Sequence, residues 1–226
     1  MTSSILATSI LRTCTRSKAT NPTLITSSFR KMSAGVPSST AAAQKNADTN
    51  VPSASELGIE NTSVQTAAGV DLSASQKLLV GSVLDLFAGR PSLKKLQLWT
   101  DDASFNDPIT KAEGRKQYEA QWYGLQTAFS EIEQLHHSVT SAGNPISMDL
   151  KTRYKIKGLG KEQTIESVIK IHTNNAGKKI VRVEDRWDGN LPEGPFATAF
   201  RNLNSVVVPA FVGVPKNEAE DAKRGN

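Results

Sequence analysis

The sequence has a single cysteine, Cys14, among 226 residues. The long region after Asp71 therefore has no internal disulfide, no thiol nucleophile and no cysteine zinc site. Histidine is also scarce, with three residues whose spacing makes no metal site. No stretch approaches 18 continuous apolar residues, which leaves no candidate for a transmembrane helix. Acid is missing from residues 1–47, and aromatic side chains are nearly missing before Asp71, where Phe29 stands alone. A segment so poor in apolar bulk buries too little surface to offset its chain entropy.

Residues 1–47 carry Arg12, Arg16, Lys18, Arg30, Lys31 and Lys45 amid Ser, Thr and Ala. The rest of the chain has 21 basic and 22 acidic residues, so the net charge of +5 belongs to the leader. That location argues against a nucleic-acid surface on the folded part. A basic, acid-free, Ser-rich leader is the composition of a mitochondrial transit peptide. Ile5, Leu6 and Ile10 share one helical face, with Arg12 and Arg16 on another. Arg30-Lys31-Met32 resembles a processing site, and initiation at Met32 would instead give a shorter cytoplasmic form. Residues 48–70 read as a polar linker, 71–190 as the folded domain, 191–215 as an apolar extension and 216–226 as a polar tail.

Ser73-Ala74-Ser75-Gln76 is a capping-box pattern. Leu79, Val80, Val83, Leu84 and Phe87 follow at helical spacing, with Gly89 and Pro91 as stops. Ser92 opens a second short helix with Leu93, Leu96 and Trp99 inward. A loop over 100–108 precedes a third helix, on which Tyr118, Trp122, Leu125 and Phe129 share one face. Strand-like segments follow at about 131–141, 148–157, 162–173 and 179–188, separated by short Gly/Asn turns that imply an antiparallel meander. The expected architecture is α+β, with three N-terminal helices on a curved four-stranded sheet and an apolar, helical C-terminal segment. Alternation along the last strand puts Val181, Val183, Asp185 and Trp187 on one face, opposite Arg182, Glu184 and Arg186. Asp185 is then the carboxylate on the apolar face.

Trp99-Thr100-Asp101-Asp102, the Phe105-Asn106-Asp107-Pro108 motif, Gly114 before the long helix and the strand end Glu184-Asp185-Arg186-Trp187-Asp188-Gly189 resemble the NTF2-like superfamily, and within it the SnoaL-like group. The resemblance spans about Leu78 to Asn190. It implies a cone-shaped α+β barrel around an apolar cavity, and a homodimer formed through the sheet or the C-terminal segment. It also implies a small hydrophobic ligand, bound with or without catalysis, and no cofactor. Catalytic relatives include dehydratases, ketosteroid-type isomerases and polyketide cyclases, which keep a carboxylate inside the cavity. A dimeric scaffold is the remaining alternative.

Asp185 is the first candidate base, because burial raises a carboxylate toward a useful pKa. The same residue in a structural role would pair with a buried donor such as Tyr154. Asp107, before Pro108, is either a pocket acid or turn chemistry. Tyr118 and Tyr154 are candidate O–H donors to a carbonyl, or core packing. Trp99, Phe105, Trp122 and Trp187 are pocket or core walls. His136 and His137 are adjacent on a strand, so only one of them faces inward, and parity leaves the choice open. Gly158-Leu159-Gly160-Lys161 lacks the spacing and Ser/Thr of a phosphate loop.

Overall fold

The computed structural model describes residues 52–189, 194–202 and 212–224. The proposed leader and residues 203–211 of the apolar extension lie outside the described residues. The first helix, α1 (Ala74–Phe87), starts as its sequence dictates. The Ser73 side chain accepts from the Gln76 N–H, and the Gln76 side chain accepts from the Ser73 N–H. It ends in a Schellman motif. The Arg90 N–H reaches the Asp85 carbonyl, the Gly89 N–H reaches that of Leu86, and Gly89 takes the positive φ of 72° that this stop requires.

The second helix, α2 (Leu93–Leu96), is a single turn, shorter than the spacing suggested. The Leu98 carbonyl accepts from the Ile180 N–H and draws the chain into the sheet. Trp99 is buried as expected, but it begins a strand. The expected loop over 100–108 is mostly that strand, β1 (Trp99–Asn106), with Ala103 and Phe105 buried. Turn-type residues such as Asp101 and Asp102 occupy its exposed positions and hide the alternation. A short hairpin leads to β2 (Lys111–Glu113), and Gly114 then opens α3 (Arg115–Ala128) at φ 78°.

The meander consists of β3 (Phe129–Ser141), β4 (Ile146–Ile156), β5 (Glu162–Thr173) and β6 (Ile180–Trp187). Among the described residues the sheet thus has six strands, in the order β2-β1-β6-β5-β4-β3, in place of the four expected. The third helix follows two strands instead of preceding the whole sheet. β1 runs parallel to β6, and every other neighbouring pair is antiparallel. Three register shifts along β3 bend the sheet over the helices.

The inner face carries Leu150, Thr152, Tyr154 and Ile156 from β4, with Ile169, Ile171, Val183 and Asp185 beside them. Phe87, Trp99, Phe105, Tyr118 and Trp122 interlock beneath the helices at ring separations of 4.7–6.1 Å. Each such contact contributes about 0.5–1.5 kcal/mol beyond its buried area. On the outer face, Lys151, Arg153 and Lys155 of β4 pair with Glu131, Glu133, Glu162 and Glu166. The basic stripe is thereby neutralised by its own sheet.

The stretch before Asp71 is not a free linker. Leu57 and Ile59 are buried, and residues 65–67 bond to both backbone groups of Val139 at the β3 edge. This strap crosses α1 at Gly81, where a Cβ would lie 2.4 Å from the Asn61 carbonyl oxygen. The tail is also docked. In the last helix, α5 (Glu218–Ala222), Asp221 accepts from the Leu93 N–H and the Tyr123 O–H, both at 2.7 Å. The apolar extension contributes α4 (Gly194–Asn202), with Phe196 and Ala197 buried. Among the described residues no helix is long and apolar enough to cross a membrane.

Candidate functional site

One recess lies between the helices and the inner face of the sheet. Phe87 of α1 and Gln121, Trp122 and Leu125 of α3 form its roof. Phe105 and Asp107 come from β1 and its turn, and Tyr154, Ile165, Asp185 and Trp187 come from β4, β5 and β6. The recess encloses about 380 Å³ when its open mouth is counted, of which only about 20 Å³ is open to the centre of a water molecule. A space of the latter size holds roughly one water.

Alternation along β6 puts Asp185 inward, and its exposure is 7%. Its Oδ2 accepts from Trp187 Nε1 at 2.8 Å, while Oδ1 has no hydrogen-bond partner. Burial pushes this carboxyl up to about 7; Trp187 and Ser167 offset part of the rise, and the charge of Asp107 adds to it. Asp107 stands half-buried at the turn after β1. Its Oδ1 accepts from the N–H groups of Ile109 (2.8 Å) and Thr110 (2.6 Å). Burial raises Asp107 to about 6 against those two bonds. Asp107 therefore caps its own turn and also lines the recess. Tyr154 is buried, and desolvation together with the neighbouring Asp185 charge pushes its phenol upward. It stays an O–H donor at any ordinary pH.

The structure brings together Asp107, Asp185, Tyr154, Phe105, Trp122 and Trp187. Tyr118 and Trp99 do not line the recess; Trp99 packs behind it against Trp122. The Tyr118 O–H donates to the Thr100 carbonyl at 3.1 Å, and its ring packs on Trp99. Neither histidine lines the recess. His136 is exposed, and Nε2 of half-buried His137 accepts from the Gln65 N–H at 3.1 Å, an anchor for the strap. A register shift in β3 next to His136 disturbs the parity from which an inward histidine was expected.

Gln121, 4% exposed with an unpartnered Oε1, is a site residue that sequence reasoning missed. Its position was a usable signal: it falls between Tyr118 and Leu125 on the apolar arc of α3, where a polar residue needs a reason. Among the described residues no group of three His, Cys, Asp or Glu could hold a metal ion.

No known family's sequence pattern matches the chain, and no curated protein does. Solved structures do. A steroid delta-isomerase from Pseudomonas aeruginosa shares 15% identity over 60% of this chain and 93% of its own, with a TM-score of 0.45. An NTF2-like protein of unknown function from Exiguobacterium sp. 255-15 shares 18% over 50% of this chain and 99% of its own, with a TM-score of 0.41. A de novo designed protein with a curved β-sheet is as similar, at 18% over 57% and 95%, with a TM-score of 0.42. At these TM-scores such likenesses carry no argument about activity.

Proposed function

We propose that the recess is a small-molecule site for proton transfer, in a cofactor-free isomerase or lyase of the NTF2-like, SnoaL-like kind. The observation that carries this reading is the unpartnered Oδ1 of a buried carboxyl, Asp185, held near neutrality beside a second carboxylate and a permanent phenol donor. A general base works best with a pKa close to the working pH. Asp185 Oδ1 would take a proton from the carbon next to a carbonyl as that C–H bond breaks. The electron pair moves onto the carbonyl oxygen, where the Tyr154 O–H stabilises the developing enolate. Return of the proton at another carbon is isomerisation; loss of a β-substituent is elimination. Asp107, ionised above about pH 6, tunes Asp185 through its charge.

The test is solvent-deuterium incorporation into small ketones, followed by NMR. Exchange should rise with pH through about 7 and fall at least about a hundredfold in Asp185→Asn. Equal exchange by the variant would remove Asp185 from the role. The second reading is binding without turnover. It is favoured by the small free space of the recess and by the Trp187 bond that clamps Oδ2.

Residues 1–47 are proposed to direct mitochondrial import. A reporter carrying them should enter the organelle, and a diffuse cytosolic signal would count against it. A homodimer is proposed through the outer sheet face or the C-terminal segment. Sedimentation at micromolar concentration distinguishes it from a monomer.

A further inference from the structure

The recess has a chemical bias that a purely hydrophobic ligand would leave unused. Two of its side chains are carboxylates, and none of its lining residues is Lys, Arg or His. The titratable groups facing it are Asp107 from the β1–β2 turn, Asp185 from β6 and Tyr154 from β4. The elements packed above and beside them, α1, α3 and β5, contribute only Phe87, Gln121, Trp122, Leu125 and Ile165. The charged neighbours of Asp185 on β6, Glu184 and Arg186, point to the other face of the sheet, where they pair with each other.

Hydrogen bonding in the recess is also incomplete, and in a particular sense. Asp185 Oδ1 and Gln121 Oε1 are buried acceptors without a donor, and Trp122 Nε1 is a buried donor without an acceptor. A buried polar atom left unpaired loses its hydration without replacement, so each of the three favours a ligand that completes it. Two open acceptors, one of them on Asp185, with Asp107 in the same recess, call for a cation with several N–H groups. An ammonium offers three and is close to water in size. The aromatic walls add cation–π attraction. The remaining indole N–H calls for an acceptor on the same molecule.

We propose that the recess takes a compact amino-carbonyl compound. Its ammonium sits against Asp185 and Gln121 within the field of Asp107, and its carbonyl oxygen faces Trp122 Nε1 and the Tyr154 hydroxyl. This rests on the reading of the recess as a small-molecule site and adds the charge of the molecule. Such a ligand binds best to the ionised acids, so binding expels protons from Asp185 and Asp107.

The test compares aminoacetone with butanone, its neutral counterpart in shape, by titration calorimetry on the full chain. Aminoacetone should bind at least tenfold tighter. Its affinity should climb nearly a hundredfold per pH unit around pH 5, roughly tenfold around pH 6.5, and level off above about 7. The heat should differ between buffers of different ionisation enthalpy, which reports the released proton. Asp185→Asn should abolish the preference. Gln121→Met and Asp107→Asn should each weaken it, which covers the case that one variant fails to fold. If butanone binds as tightly, the charge assignment is overturned while the small-molecule site stands. If neither binds, the amino-carbonyl assignment falls, and deuterium exchange on other ketones decides the fate of the site separately.

Discussion

Two buried aspartates in this domain have opposite fates. Asp85, fully buried on α1, accepts from the Glu60 N–H (2.8 Å), the Asn61 N–H (3.1 Å), the Asn61 amide (2.8 Å) and Arg90 (2.8 Å). Lys95 Nζ lies 3.1 Å away and is itself only 2% exposed. Burial alone would raise Asp85, but the Glu60 N–H, Arg90 and Lys95 outweigh it and hold it below the usual range. Asp185 is nearly as buried but has one close donor, Trp187 Nε1, so desolvation wins and its pKa climbs. Burial sets the stakes for both carboxylates. The number of donors decides whether the group is a structural anion or a usable acid.

The largest expected effect breaks the saturated side. Asp85→Ala leaves the Lys95 ammonium buried without its carboxylate, at a cost of about 3–5 kcal/mol in urea unfolding. Adding Lys95→Met should recover much of that loss. A cost below about 1 kcal/mol would show that the cluster is idle.

Asp185→Asn should do the reverse. A carboxyl at about 7 when folded and at the ordinary 3.8 when unfolded makes a stability contribution that is full below pH 3.8 and lost as pH rises through 7. The wild type is therefore handicapped at pH 8, and the amide removes the handicap while keeping the Trp187 bond. The gain should reach a few kcal/mol at pH 8, up to about 4, and vanish near pH 3.5. Equal effects at both pH values would contradict the comparison.

The strap that supplies the Glu60 and Asn61 N–H groups can be tested separately. Gly→Ala within a helix ordinarily gains up to about 1 kcal/mol. In Gly81→Ala the new Cβ meets the Asn61 carbonyl, so the sign should invert to a loss of about 1–3 kcal/mol. The Glu60 and Asn61 amides should lose hydrogen-exchange protection with it.

The smallest effect concerns His137. Burial, then the neighbouring His136, depress its pKa below 6.5, and only its neutral form accepts from Gln65. Its stabilisation is present above pH 6.5 and is lost as pH falls through the lowered pKa. Protection of the Gln65 amide should fall over the same range, and His137→Ala should remove that pH dependence.

Much of the fold was legible where a short-range period carried it. The capping box at Ser73 and Gln76 formed as written, and the meander strands begin and end within about two residues of their expected limits. Strand alternation placed Asp185, Tyr154 and Trp187 on the inner side. β1 was hidden because Asp101, Asp102 and Asn106 are turn-type residues in an extended chain, recruited by pairing with β6 far along the sequence. Asp85 gave no signal either. Its strap donors are Glu60 and Asn61, and a polar composition around the buried Leu57 and Ile59 disguised that strap as linker.

The sequence by itself determined which face each residue takes, because side-chain direction follows from backbone periods of 2 and 3.6. From that alone Asp185 had to point inward. Only the tertiary structure decided what it would meet there. Parallel pairing of β1 with β6 carries the Phe105–Asp107 turn to the same recess, and no local period encodes that contact. The strap over α1 likewise made Asp85 an anion with its donors in place. A carboxylate's pKa is set by the donors and charges within a few ångströms, and in a folded chain those neighbours come from distant segments.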